Sequence, residues 1–105
     1  MFSKIIELFQ SDTKDLEQVI KNADILLDVR TKSEYELGSI DGAINIPLAE
    51  LGSRFNSLDP TQSIVVFCQS GNRSGQAQRL LKDKGFDKVF NGGGWRSLKK
   101  ILIRG

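Results

Sequence analysis

Ser63-Ile64-Val65-Val66-Phe67-Cys68-Gln69-Ser70-Gly71-Asn72-Arg73-Ser74 is the stretch that decides the fold. Ile64 to Phe67 are apolar and mostly β-branched, the pattern of a strand buried on both faces. A short turn containing Gly71 follows at once. Residues 74–84 then set Ala77, Leu80 and Leu81 at helical spacing, with Gly85 as C-cap. Upstream, Ile25-Leu26-Leu27-Asp28-Val29 is a second apolar run of strand length. Thr31-Lys32-Ser33-Glu34 is a capping box, so a short helix starts there and stops at Gly38. Ala43-Ile44-Asn45-Ile46 predicts a brief strand ended by Pro47, and residues 48–57 a helix with Leu48, Leu51 and Phe55 inward. Downstream, Lys88-Val89-Phe90 predicts a last short strand. Gly92, Gly93 and Gly94 follow it, and residues 95–103 read as a helix. At the other end, Asp12 or Thr13 can cap a helix carrying Leu16, Val19 and Ile20. Strands alternating with helices predict an α/β fold, an open parallel sheet of about five short strands with helices on both faces. Ligands of such sheets sit beyond the carboxyl ends of the strands, here after Val29 and after Phe67.

The length of 105 residues fits one domain, expected over residues 12–105, with residues 1–11 as a helical extension that docks through Ile5, Ile6, Leu8 and Phe9. Hydrophobic residues at 39% and charged residues at 27% exclude a disordered or fibrous chain. Glu7 interrupts the first apolar run, no cleavage site follows it, and no stretch is long enough to span a bilayer. A single cysteine forms no internal disulfide, so a cytoplasmic location is expected. The absence of histidine removes every mechanism built on an imidazole base or ligand. No metal site and no cofactor are expected. Residues 1–67 carry 6 Lys and Arg against 11 Asp and Glu, whereas residues 68–105 carry 9 against 2. The basic part holds the cysteine and would concentrate small anions around it, although solvated helix faces account for such charge as well. No aromatic residues interleave the basic ones, so a nucleic-acid partner is not expected.

Cys68 stands at the end of a strand, before a tight turn and a helix N-terminus. Backbone N–H groups of such a turn form a nest for an anion, and the helix dipole adds positive charge. Gly71 supplies the backbone freedom that the turn demands, and Ser70 and Asn72 are small enough for it. A thiol at the rim of that nest is expected to ionise readily. A buried cysteine that merely packs would sit inside the strand instead. Arg73 offers a fixed charge and a fork of donors. It either binds the anionic substrate or ties the loop to a neighbouring carboxylate. Asp28, Arg30 and Glu34 suggest a second site, but an ion-pair network bracing the sheet edge accounts for them better. The three glycines lack the spacing of a phosphate or dinucleotide loop and are expected to let backbone pass close to the cysteine. Trp95 reads equally as a pocket wall or as core.

Several blocks, in this order, give the chain a resemblance to the rhodanese family, in particular to its small single-domain members. They are Leu27-Asp28-Val29-Arg30 with Glu34-Tyr35, then Gly38 to Pro47, then Val65 to Ser74, then Gly85-Phe86 with Gly93-Gly94. The resemblance covers residues from about Asp15 to Leu98. Two departures stand out. Ser39-Ile40-Asp41-Gly42 replaces the family's usual His-Ile-Pro-Gly, whose histidine is generally structural, and Leu98 falls where the family tends to place a tryptophan.

The resemblance implies an enzyme of the thiosulfate sulfurtransferase type with Cys68 as nucleophile. It would take a sulfane sulfur from a small anionic donor such as thiosulfate, or from another persulfide. It would pass that sulfur to a thiol, cyanide or protein-cysteine acceptor. The backbone amides of Gln69, Ser70, Gly71, Asn72 and Arg73 would cradle the outer sulfur. A binding or sulfur-carrier module of the same family is the alternative. A cysteine-dependent phosphatase or arsenate reductase fits less well. Only four residues separate Cys68 from Arg73, and the phosphatase loop is one residue longer.

Overall fold

Four strands, Ile25–Asp28 (β1), Ile44–Asn45 (β2), Ile64–Cys68 (β3) and Val89–Gly94 (β4), pair in parallel in the order β2-β1-β3-β4. The computed structural model describes residues 16–104. Helices cover both faces of the sheet: residues 16–21 (α1), Lys32–Leu37 (α2), Leu48–Arg54 (α3), Asn72–Asp83 (α4) and Trp95–Arg104 (α5). A 3-10 turn at Phe55–Ser57 extends α3. The α/β architecture with an open parallel sheet is therefore as expected, with four strands among the described residues against the five anticipated. The proposed extension over residues 1–11 and the Asp12 or Thr13 cap lie outside the described residues.

Period-two alternation along β3 divides the core. Ile64, Val66 and Cys68 face Leu51, Ala77 and Leu81 of α3 and α4. Val65 and Phe67 face Ile20 and Leu98, from α1 and α5. All five β3 residues are buried, so this strand reads as one unbroken apolar run. Each such side chain contributes about 1.5–3 kcal/mol when fully buried. The central position of β3, between β1 and β4, carries Cys68 to the middle of the sheet's carboxyl edge.

Local signals explain most boundaries. Thr31 and Glu34 form the complete capping box at the start of α2, and the Gly38 N–H closes that helix on the Tyr35 carbonyl. Two elements differ from expectation. α4 begins at Asn72, two residues early, because Gly71 serves as its N-cap in the left-handed region. β4 runs through Gly92, Gly93 and Gly94, where the pattern suggested a strand ending at Phe90. Glycine is a poor strand former, yet here a side chain has no room. A Cβ on Gly92 would stand 2.7 Å from a Val65 methyl group. No helix of the described residues is long and apolar enough to cross a membrane.

Candidate active site

Cys68 closes β3 opposite Gly94, just beyond an irregularity in the β3–β4 pairing. The chain then turns sharply. Gly71 takes φ +102°, a value that a side chain strongly disfavours. The turn packs directly on the end of β4, where a Cβ on Gly94 would lie 2.8 Å from the Gln69 carbonyl oxygen. The glycines thus let backbone pass against the cysteine loop, as their position suggested.

Within this turn the thiol is enclosed, with Cys68 only 1% exposed. The Gly71 N–H donates to Sγ at 3.0 Å and the Ser74 N–H at 3.4 Å. The Ser74 hydroxyl lies 3.4 Å from the same sulfur. Burial alone would push the Cys68 thiol up. Hydrogen bonds from the Ser74 hydroxyl and from the amides of Ser74, Ser70 and Gly71 outweigh it, so the pKa lies below that of an ordinary cysteine. Donors aimed at one atom, with no histidine nearby, favour a thiolate.

Ser74 and Asn91 were not singled out in the sequence. The Ser74 hydroxyl donates to Asn91 Oδ1 at 2.7 Å, and Asn91 Nδ2 donates to the Gly71 carbonyl at 3.2 Å. The Gly93 N–H also donates to Asn91 Oδ1, at 2.9 Å. Asn91 therefore clips the cysteine turn to β4. The place of Ser74 in the first turn of α4 was a usable signal. Asn91 had none, since it reaches Ser74 only because β4 lies beside β3.

Arg73 resolves towards the carboxylate. Its Nη1 and Nη2 bind Glu34 Oε1 and Oε2 at 2.7 and 3.0 Å, a two-pronged pair joining α4 to α2. The hydrogen bonds from Arg73, with that of the Thr31 amide, lower the Glu34 pKa to about 2. The pair with Glu34 likewise raises the Arg73 pKa. Asp28 and Arg30 make a second, buried pair. Arg30 Nε and Nη2 meet the carboxylate at 3.0 and 2.7 Å, and Nη2 also donates to the Gly38 carbonyl at 2.6 Å. Ser39 Oγ donates to Asp28 Oδ2 at 2.8 Å and so braces this pair. Arg30 and Glu34 thus belong to two separate pairs rather than to one network.

Of the remaining expected site residues, Gln69 lines a hollow of about 170 Å³ together with Glu34, Gly38, Trp95 and Arg96. Ser70 and Asn72 are exposed at the turn. Trp95 is a wall of this hollow, while its indole N–H is buried without an acceptor among the described residues. Leu98 is fully buried in the core. A roomier hollow of about 450 Å³ runs past Lys32, Asn45 and Arg54 and includes none of the cysteine-loop residues. Among the described residues no group of three or more His, Cys, Asp or Glu could hold a metal ion.

Comparison with known proteins accords with this arrangement. Residues 12–100 match the model of the rhodanese-like domain. The chain is 35% identical over 81 residues to the thiosulfate sulfurtransferase PspE of Escherichia coli, covering 75% of this chain and 78% of that protein. It is 46% identical over 66 residues to the putative sulfur carrier protein YrkF of Bacillus subtilis, covering 63% of this chain but only 36% of YrkF. A solved structure described as rhodanese with anions from E. coli superposes with a TM-score of 0.65 at 36% identity, over 69% of this chain and 87% of that one. With a cysteine turn closed on the glycines of the next strand, a match to the rhodanese-like domain over residues 12–100 and a thiosulfate sulfurtransferase among its relatives, this chain belongs to the rhodanese-like family.

Proposed function

We propose that the protein moves a sulfane sulfur through a persulfide on Cys68, with thiosulfate or another persulfide as donor. The Cys68 thiolate attacks the donor's outer sulfur. For thiosulfate, the bond between the two sulfurs breaks and sulfite leaves with the bonding pair. An acceptor thiol, cyanide or protein cysteine then attacks the outer sulfur of the persulfide, and Cys68 departs as a thiolate. Neither step requires a proton on Cys68, in keeping with a chain that has no histidine. The observation that carries this reading is the set of donors converging on one sulfur, from Gly71 and Ser74. They favour the anion before attack and again when Cys68 leaves. The likeness to PspE supports thiosulfate as donor.

A phosphatase reading is weakened by Arg73, which Glu34 holds by both prongs. A carrier role, in which another protein loads Cys68, gains support from the likeness to YrkF.

Mass spectrometry after thiosulfate treatment tests the proposal. The expected result is a gain of one sulfur atom on Cys68, removed by cyanide. Cys68→Ser should fold and gain nothing. Failure of the native protein to take up sulfur from thiosulfate, with loading by a persulfide-bearing protein, would favour the carrier reading. Hydrolysis of a phosphate ester without sulfur uptake would overturn both.

A further inference from the structure

We propose that Arg96, and not Arg73, recognises the anionic end of the sulfur donor, selecting small donors whose sulfane sulfur is bonded to a sulfonate-type group. This rests on the persulfide reading above. Charged residues at the hollow are already committed, with one exception. Arg30 is held by Asp28 and the Gly38 carbonyl, both at short distance. Glu34, the carboxylate in the wall, is neutralised by Arg73. Arg96 has no carboxylate partner among the described residues. Its guanidinium carbon lies 4.7 Å from the centre of the Trp95 ring. A guanidinium set against an aromatic ring can still direct N–H donors to an oxyanion. Lys99 adds a second positive charge 5.9 Å from the same ring.

Position and size agree with that role. Arg96 belongs to the first turn of α5, directly after Gly94, which abuts Gln69 beside the cysteine. The hollow that Arg96 shares with Gln69 and Trp95 measures about 170 Å³. This is the room of a few waters at about 30 Å³ each, and well short of the roughly 300–1,000 Å³ of drug-sized pockets. A small inorganic anion fits. A sulfonate held by Arg96 would lie beside Gln69, the residue next to Cys68.

Arg96→Ala, Arg96→Lys and Arg96→Glu test the assignment, since the side chain is exposed and its removal spares the core. Two rates are measured on Cys68. One is sulfur loading by thiosulfate, and the other is alkylation by iodoacetate against its uncharged analogue iodoacetamide. Arg96→Ala should slow both thiosulfate loading and iodoacetate alkylation by about fivefold, the upper end for one charge pair at an exposed site. Iodoacetamide should react as before. Arg96→Lys should recover part of both losses, and Arg96→Glu should deepen them. Equal loss of iodoacetate and iodoacetamide reactivity would make Arg96 a purely structural residue and overturn the inference, as would unchanged rates for both anions. Should the native protein take up no sulfur from thiosulfate, thiosulfate fails as the donor by itself, while the alkylation pair still judges whether Arg96 attracts an anion to the cysteine turn.

Discussion

The Ser74 hydroxyl has one hydrogen and two acceptors in reach, Asn91 Oδ1 at 2.7 Å and Cys68 Sγ at 3.4 Å. While Cys68 carries its proton, the thiol can donate to Ser74, and Ser74 donates to Asn91. Once the sulfur is charged, the hydroxyl gains by turning to it. Ser74 thereby serves as an adjustable donor for the thiolate in both half-reactions. Ser74→Ala should slow thiosulfate loading by about tenfold near neutral pH, because one hydrogen bond to a charged group is lost. The direction with pH follows from the lowered Cys68 pKa. Reactivity of the native protein should rise with pH and level off below the ordinary thiol value of 9.0, whereas the variant should rise later, closer to that value. The same shift favours the folded state only where the thiolate exists. That contribution is full above the unfolded thiol's value and is lost as pH falls through the lowered one. Rates at several pH values, with circular dichroism to confirm the fold, check this. A variant whose profile keeps its midpoint and only loses amplitude would show that Ser74 does not tune the thiol.

At the next scale, α2 and α4 are tied to each other by Glu34 and Arg73. Glu34 has two duties, since Oε1 also accepts the Thr31 N–H at 3.0 Å in the capping box. Glu34→Gln separates them: glutamine still caps but no longer pairs. The variant should lose about 1 kcal/mol, or about 5 °C in melting temperature for a domain of this size. The loss should shrink in high salt. Glu34 has its pKa lowered from 4.5 to about 2, so its contribution is complete above pH 4.5 and disappears as pH falls towards about 2. The melting difference between native protein and variant should follow that window. A difference that persists at the acid end would mean that the charge is not its source. The capping box was legible because both of its residues lie within one helical turn. The pair with Arg73 was not, because its partners are 39 residues apart and meet only through the strand order. β4 failed for a different reason. Its glycines read as loop, and only contact with Val65 and the Gln69 backbone explains why a strand needs them.

Taken as a whole, the molecule has an acidic first part and a basic second part, with the cysteine at the start of the basic one. A field of that sign draws small anions in and is screened by salt over about 10 Å at 0.1 M. Thiosulfate loading should therefore fall by about threefold to tenfold between low salt and 0.5 M salt, with iodoacetamide alkylation unchanged. If loading proves insensitive to salt, steering has no part in it. The alternation of strands and helices was plain in the sequence, and with it the cysteine at a strand's carboxyl end. The placement of β1 between β2 and β3 was not, since pairing in a parallel sheet is decided by contacts between distant segments. The same sheet order brings the start of α5 to the cysteine turn, and with it the chain's one tryptophan, Trp95. Two guanidinium groups lie within 5 Å of that ring, Arg30 at 4.9 Å and Arg96 at 4.7 Å. Tryptophan emission from the unlabelled molecule thus originates at the wall of the site, and the protein carries its own optical probe of what enters it.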